Sequence, residues 1–175
     1  MPSWRESAAV SGDEEEQGDA AKPLTERIDY PLFVVTAAAG DEVSGCLAGF
    51  VTQSSMEPVQ FLVCVSKHNH TYATVRRSAG LVVHLLGSDQ RDVASLFGEA
   101  TGDEIDKFAR VSWSSGHTGA PILTECAAWV EGRIIGQMDA GDHDAFLINV
   151  CASGTGDHQG LFMLADATDF VPGHP

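Results

Sequence analysis

The chain has 175 residues, of which 43% are hydrophobic and 20% are charged, a composition typical of one domain that buries a core. Its formal net charge of −15 argues against nucleic acid and anionic membranes as partners, because both bind basic surfaces. No apolar run approaches the roughly 20 residues of a membrane-spanning helix. The N-terminus also lacks the basic and apolar segments of a secretory signal, so we expect a cytoplasmic protein.

The first 24 residues are polar and acidic, and residues 13–16 form a block of like charges. Such a segment buries too little apolar surface to offset the entropy that ordering costs. We therefore predict a disordered acidic tail over residues 1–24 and a folded domain over residues 25–175.

Short apolar or alternating runs bounded by turn residues recur along the rest of the chain. They predict strands over residues 32–37, 46–53, 61–65, 81–86, 127–135, 145–151 and 161–164. Helical patterns predict short helices over residues 71–78 and 91–98, and a turn of helix at residues 105–109. The strands do not alternate regularly with helices as they do in a parallel sheet, so we predict a mainly β fold, an antiparallel barrel with helices at its ends.

The segment from Ser66 to Thr71 joins the 61–65 strand to the first helix. Its side chains carry hydroxyl, ammonium, imidazole and amide donors, and Asn69 is a candidate helix N-cap. A helix start leaves backbone N–H groups that stabilise an anion, so the segment has the properties of a phosphate site. The alternative is a capped helix surrounded by solvated charges. The densest cationic region of the chain lies here, with Lys67, His68, His70, Arg76 and Arg77.

Other chemistries have weaker support in the sequence. No GxGxxG or GxxxxGK[ST] motif is present, which leaves the dinucleotide-binding and P-loop interpretations without support. The four cysteines include no CxxC pair, and their apolar surroundings favour reduced core thiols. His68 and His70 are spaced like a metal pair but lack further ligands nearby, so we expect no metal site.

Four blocks follow one another in this part of the chain. Residues 45–58 open with glycine and end with an acidic residue before proline, and residues 61–80 read as strand, polar loop and helix. Residues 81–98 read as a strand and a helix that starts near a glutamine and ends with phenylalanine. The last block combines DKFARVSW at 106–113 with AGDHDAFLINV at 140–150. In this order the blocks resemble the flavin reductase family, the FMN-binding split-barrel proteins that reduce flavin with a nicotinamide cofactor, over roughly residues 30–150.

The resemblance implies an antiparallel split β-barrel that binds FMN or FAD in a groove at a homodimer interface. The positions that it implies near the flavin ring edge are Ala48, Gly49, Phe50, Val51, Thr52 and Gln53. The positions that it implies on the phosphate are Ser66, Lys67, Asn69, His70 and Thr71. The alternative for residues 48–53 is that they continue a core strand.

The resemblance also implies NADH or NADPH as the hydride donor and a flavin-dependent monooxygenase as a possible recipient of the reduced flavin. A hydride donor must stack about 3–3.5 Å from the flavin N5, so one face of the ring must stay open. Donors near the pyrimidine edge would stabilise the anionic reduced flavin, and backbone N–H groups with Thr52 or Gln53 could supply them.

By the same resemblance, His143 of the Gly-Asp-His sequence lies near the open face of the flavin. Its imidazole could donate a hydrogen bond to the nicotinamide cofactor and exchange protons there. We therefore assign it as the catalytic residue. The alternative is that His143 orders the turn before a strand by bonding to Asp142 or Asp144.

The chain departs from the common family pattern at several positions. Leu47, Gly49 and Phe50 stand where many members have hydroxyl residues, and His84 stands where an asparagine is usual. Because the chain ends soon after Leu164, we expect only a short cover over the flavin. The departures leave open a split-barrel protein that holds flavin, deazaflavin or haem as an electron carrier without oxidising a nicotinamide. A scaffold domain with an empty groove is disfavoured by the donor-rich loop.

Overall fold

The computed structural model describes residues 21–100, 105–171 and 173. The predicted disordered tail, residues 1–24, lies outside the described residues except at its end, so its disorder stays a prediction. Residues 21–25 are helical and exposed. Within the described residues, no helix is long and apolar enough to cross a lipid bilayer.

In the described part of the chain, nine strands form one large and one small antiparallel sheet. The strands are β1 Phe33–Ala39, β2 Glu42–Ala48, β3 Val51–Met56, β4 Val59–Ser66, β5 Gly80–Leu85, β6 Trp113–Ser115, β7 Pro121–Leu123, β8 Ala128–Ala140 and β9 His143–Thr155. The large sheet has the order β2-β1-β5-β8-β9-β4-β3, and β6 pairs with β7 in the small one. The helices are α1 His70–Val75 and α2 Arg91–Gly98, with 3₁₀-helices at Phe108–Arg110 and Leu164–Ala167.

The short connection between β2 and β3 determines the shape of the large sheet. These strands are the two edges of the large sheet, yet only Gly49 and Phe50 separate them in the chain. The sheet must therefore curl until its edges approach each other, without an edge-to-edge ladder among the described residues. This open, antiparallel barrel with few short helices confirms the predicted split-barrel fold.

Two predicted strands differ from the structure. The strand predicted at residues 46–53 is interrupted at Gly49, whose carbonyl accepts a bond from the Val51 N–H at 3.1 Å in a tight turn. An added Cβ at Gly49 would lie 2.6 Å from the Tyr30 ring, so this turn requires glycine. Residues 161–164 form only an isolated bridge between Pro31 and Met163, and their apolar pattern reflects packing of a non-strand segment.

Strand β1 supplies alternate residues to two apolar clusters, as the two-residue period of a strand requires. Val35 packs in one cluster with Phe146 and other residues of the central strands. Val34 packs in the other with Phe97 of α2 and Phe162 of the C-terminal segment. The sheet therefore has apolar partners on both faces, and the second cluster joins the C-terminal segment to the barrel.

All four cysteines are free thiols in the structure. Burial raises the pKa of Cys46 and of Cys126 to about 11. Cys64 is half-buried, but Cys151 is exposed, so the predicted core position is wrong for Cys151. Strand β9 alternates its side chains between faces and extends past the core, which leaves Cys151 in solvent.

His84 of β5 contacts both sheets from a fully buried position, β1 of the large sheet and β7 of the small one. Its Nδ1 lies 2.9 Å from the carbonyl oxygen of Val34, and its Nε2 lies 3.0 Å from the backbone nitrogen of Leu123. Only the neutral tautomer with a proton on Nδ1 satisfies both contacts, since Nε2 must accept the Leu123 N–H. Burial lowers the pKa of His84 to about 4, because the interior disfavours the imidazolium. His84 is therefore a structural group of the core.

The pKa of His84 predicts a pH dependence of stability. The unfolded state binds a proton near pH 6.5 and the folded state near pH 4, so the free energy of unfolding should fall as the pH drops through this window. Protonation of His84 should lower the free energy of unfolding by about 3 kcal/mol at the acidic end of this pH window. Urea denaturation at a series of pH values measures it. His84→Asn should flatten this slope, whereas the exposed His117→Asn should keep it; a wild-type slope in His84→Asn would contradict the assignment.

Candidate functional site

A cavity of about 370 Å³ opens beside the Gly49–Phe50 connection. The walls of this main cavity come from the ends of β2 and β4, the first residue of β9 and residues 164–170. A second cavity of about 270 Å³ shares Tyr30, Gly49, Phe50 and Cys64 with it. The connection that curls the sheet is therefore also the wall between two adjoining cavities.

The structure brings most of the predicted site residues to these cavities. The main cavity is lined by Ala48, Gly49, Phe50, Ser66, Asn69 and His143. The second cavity is lined by Val51 and Thr52 in addition to the shared residues. Four predicted residues line neither cavity: Gln53, Lys67, His70 and Thr71. The side chain of Gln53 is exposed and donates to the carbonyl oxygen of Ser55 at 3.0 Å.

Phe50 forms an aromatic group with two neighbours at the mouth of the main cavity. Its ring centroid lies 6.2 Å from that of Tyr30 and 5.4 Å from that of His143, both in tilted arrangements. Phe50 is 55% exposed, so it does not continue a core strand as the alternative for residues 48–53 supposed. Exposed aromatic faces beside a cavity suit a planar ligand that stacks.

The Ser66–Thr71 loop forms the polar end of the main cavity. Asn69 is the N-cap of α1, as predicted, and its Oδ1 accepts the Thr71 N–H at 2.9 Å. The Ser66 Oγ accepts the His68 N–H at 3.3 Å. Thr71 is buried and its hydroxyl accepts from Ser44 at 2.9 Å. The loop is therefore ordered by its own side chains, with Ser66 and Asn69 on the cavity wall.

Lys67, the second residue of this loop, contacts the turn between β8 and β9. Its ammonium group donates to the carbonyl oxygen of Gly141 at 2.6 Å and lies 3.0 Å from the Asp139 carboxylate. The hydrogen bond to Asp139 raises the pKa of Lys67, so the side chain stays cationic. Among the described residues, no group of three or more His, Cys, Asp or Glu side chains is placed to bind a metal ion.

His143 begins β9 directly after this turn. Its Nδ1 lies 2.8 Å from the Asp142 carboxylate, and the hydrogen bond lowers the pKa of Asp142. Because a carboxylate accepts, Nδ1 carries a proton and the ring orientation is fixed. The bond to Asp142 that the alternative interpretation expected is therefore present. It coexists with a place on the cavity wall, since His143 also contacts Phe50.

Sequence reasoning missed a third part of the main cavity, the C-terminal segment at residues 161–171. Leu164, Ala167 and Phe170 of this segment line the cavity. Phe170 stacks on the buried Phe162 with ring centroids 6.0 Å apart. The apolar run at residues 161–164 was a usable signal, but it indicated a strand rather than a packed segment over a cavity.

Arg91 at the start of α2 holds the C-terminal segment in place. Its guanidinium donates to both carboxylate oxygens of Asp169, at 2.7 and 2.8 Å, and to the carbonyl oxygen of Asp166. It also lies over the Phe170 ring, 4.8 Å from the centroid. The backbone N–H of Val171 donates to Glu99 at the other end of α2. The segment is therefore fixed to α2 at both ends of the helix.

Comparison with known proteins places this architecture among flavin enzymes. Residues 25–169 match the family model described as the flavin reductase like domain. The chain is 32% identical over 123 residues to the ferric-chelate reductase (NAD(P)H) of Archaeoglobus fulgidus, which covers 69% of this chain and 73% of that protein. It is 32% identical over 155 residues to the FMN reductase (NADH) RutF of Methylorubrum extorquens, which covers 87% of this chain and 73% of the relative.

A solved structure has the same fold. BorF, the flavin reductase component of a bacterial two-component tryptophan halogenase, superposes with a TM-score of 0.73 at 26% sequence identity. The superposition covers 83% of this chain and 92% of BorF. The two proteins therefore share the fold over most of this chain.

The contacts of Arg91 predict that Arg91→Ala loosens residues 161–171, because the ion pair, the carbonyl bond and the ring contact are lost together. Hydrogen exchange measured by mass spectrometry should be faster in peptides of this segment and unchanged in β4 and β9. Arg77→Ala is the matched control, since it removes an exposed ion pair with Glu42 elsewhere on the surface. Equal exchange in wild type and Arg91→Ala would show that the segment does not depend on Arg91.

Proposed function

Because the chain belongs to the flavin reductase family, we propose that it is an NAD(P)H:flavin oxidoreductase. It transfers a hydride from NADH or NADPH to FMN or FAD bound in the main cavity. The observation that carries the proposal is the arrangement of this cavity, with the aromatic rings of Tyr30 and Phe50 at one end and the polar Ser66–Asn69 loop, opposite His143, at the other. The reductases RutF and ferric-chelate reductase support the nicotinamide as donor.

The residues present fit a flavin. Pockets for ligands of this size measure about 300–1,000 Å³ and are mostly apolar with a few polar groups. The main cavity, with about 370 Å³, has this size, and Leu32, Leu47 and Val65 supply apolar wall. A planar tricyclic ring suits the aromatic end, and a phosphate tail suits the loop with hydroxyl and amide groups.

The chain's own groups would then act in three places. Backbone groups of residues 48–53 and the Thr52 hydroxyl bind the ring edge, while the Gln53 side chain, bonded to Ser55, is a weaker candidate. Ser66 and Asn69 contact the phosphate, whereas Lys67, His70 and Thr71, which the sequence also predicts there, line neither cavity. Leu164 and Phe170 exclude water from one side of the cavity. The flavin supplies the redox chemistry, since its N5 accepts the hydride.

His143 is the proposed contact for the nicotinamide. Asp142 fixes its ring and holds the proton on Nδ1, so the imidazole is oriented before a ligand arrives. Phe50 packs against the same ring and keeps it at the cavity. A pre-oriented donor of this kind loses little conformational entropy on binding and positions the hydride donor for transfer.

The wider setting of the reaction is also part of the proposal. BorF is a component of a two-component halogenase, which supports a role in which this protein supplies reduced flavin to a separate flavin-dependent monooxygenase. We further propose a homodimer in the cytoplasm. Exposed apolar side chains at Met56, Ile135 and Met138 are available for a subunit contact.

A steady-state assay with free FMN or FAD and NADH or NADPH tests the function. Oxidation of the nicotinamide at 340 nm that depends on flavin supports the reductase. A yellow protein that neither nicotinamide bleaches supports the electron carrier instead. Absence of both flavin binding and flavin-dependent oxidation would remove both functions.

His143→Ala is expected to raise the KM for the nicotinamide or lower kcat, because one hydrogen bond to the cofactor is lost. A loss of about 0.5–1.5 kcal/mol corresponds to a fall in kcat/KM of up to about tenfold. Fluorescence titration should give nearly the wild-type Kd for FMN. The control is His117→Ala, whose exposed side chain lines neither cavity, and which should keep wild-type kinetics. Unchanged kinetics in His143→Ala would remove the assignment.

Ser66→Ala is expected to weaken FMN binding by about tenfold, because hydrogen bonds to charged groups contribute about 1.5–3 kcal/mol. Binding of riboflavin, which lacks the phosphate, should change little, and fluorescence titration of both ligands measures the difference. The control Ser54→Ala removes an exposed hydroxyl from β3, away from both cavities. Equal weakening of FMN and riboflavin would place the phosphate elsewhere.

A further inference from the structure

Lys67 contacts residues on both sides of His143. Its ammonium group donates to the Gly141 carbonyl oxygen at 2.6 Å and lies 3.0 Å from Asp139 and 3.4 Å from Asp144. Its backbone N–H donates to the carbonyl oxygen of Asp142 at 2.9 Å. Lys67, the residue directly after β4, thus contacts the end of β8, the turn and the start of β9.

These contacts place three oxygen atoms around the ammonium group. An ammonium group has three N–H donors and no acceptor. Gly141, Asp139 and Asp144 supply three oxygen acceptors within ion-pair or hydrogen-bond distance. Lys67 is also absent from the walls of both cavities. Direct contact with a flavin phosphate would require Lys67 to break at least one of these contacts and move.

The Asp144 carboxylate makes the position of Lys67 costly to change. Its side chain is only 7% exposed, and it accepts from the Tyr72 hydroxyl at 2.7 Å and the Gln137 amide at 2.5 Å. Lys67 is the cation that faces this buried anion. Removal of Lys67 would leave a poorly hydrated carboxylate without its counter-charge, which is unfavourable. The network therefore fixes Lys67 relative to α1, β8 and β9 together.

The same turn determines where His143 lies. Gly141 has φ +88° at the first position of the two-residue turn, and its N–H donates to Asp139. Asp142, the second position, bonds the Nδ1 of His143 at 2.8 Å. His143 itself is the register partner of Ser66, the residue before Lys67. A shift of the turn would therefore move both the Asp142 carboxylate and the imidazole that it orients.

We propose that Lys67 is a positioning residue for His143: through Gly141, Asp142 and Asp139 it fixes the turn that places the imidazole at the main cavity. In this role Lys67 controls nicotinamide binding and does not bind the flavin phosphate. The inference rests on the proposed function in its use of nicotinamide kinetics. It replaces the direct phosphate contact predicted for Lys67 from the sequence.

The test compares Lys67→Met, which keeps the length of the side chain, with Lys67→Arg, which keeps its charge. Lys67→Met should raise the KM for NADH or NADPH on the order of tenfold, because misplacement of a binding group is costly. The Kd for FMN should stay within about twofold at both low and high salt. Lys67→Arg should recover most of the nicotinamide affinity. In a His143→Ala background, Lys67→Met should add no further rise, since coupled residues are not additive.

A second readout does not depend on the reaction. In the NMR spectrum, the ring protons of His143 should shift in Lys67→Met, because the Phe50 ring 5.4 Å away affects them strongly. The control is the ring of His117, whose shift should stay unchanged. If Lys67→Met does not fold, Asp139→Asn removes one ion pair from an exposed carboxylate and should give a smaller change in the same direction.

Each outcome is decisive. A salt-dependent loss of FMN affinity in Lys67→Met, with riboflavin affinity kept, would make Lys67 a phosphate ligand and overturn the inference. Wild-type nicotinamide KM and an unshifted His143 ring in a folded variant would also overturn it. If the wild-type protein neither binds flavin nor oxidises nicotinamide, the proposed function fails, and the His143 ring shift alone then supports or refutes the positioning role.

Discussion

The two-residue connection through Gly49 and Phe50 is the constraint on which the rest of the structure depends. It joins the two edge strands of one sheet, so the sheet can exist only in a strongly curled form. The close approach to Tyr30 leaves no space for a side chain at the first position. The second position projects an aromatic ring into solvent beside His143. The short connection that closes the curled sheet therefore also forms a wall of the main cavity.

The same constraint explains which strands form the walls of the main cavity. One wall is made by β2 and the connection, and the opposite wall is made by the end of β4 and the first residue of β9. These two strands are paired, with Ser66 opposite His143, so the polar loop and the histidine have a fixed relative position. Lys67 and Arg91 do not line this wall. Lys67 bonds the β8–β9 turn next to His143, and Arg91 bonds the C-terminal segment that carries Phe170.

Much of this arrangement could be predicted from the sequence, because its signals are local. Alternating apolar runs identified the central strands, the α2 helix has the predicted bounds, and Asn69 caps α1 through a side chain two residues away. The rest depends on contacts between distant residues. The partners of Lys67 and Arg91 lie more than 70 residues away in the chain, and His84 satisfies its two nitrogens on different strands. No local pattern encodes these pairings, so the contacts of Lys67 and the position of residues 161–171 emerged only from the fold.

The position of Cys64 makes the reactivity of its thiol sensitive to whether the cavities are filled. Its half-buried thiol borders both cavities, and its backbone N–H bonds the carbonyl oxygen of Phe50 at 2.9 Å. Burial raises the pKa of this thiol, so the reactive thiolate is scarce near neutral pH and alkylation is slow. A molecule seated in either space would shield the sulfur further, while the exposed Cys151 would react at the same rate throughout. The alkylation rate of Cys64 divided by that of Cys151 therefore measures how far the cavities are occupied, without any added chromophore.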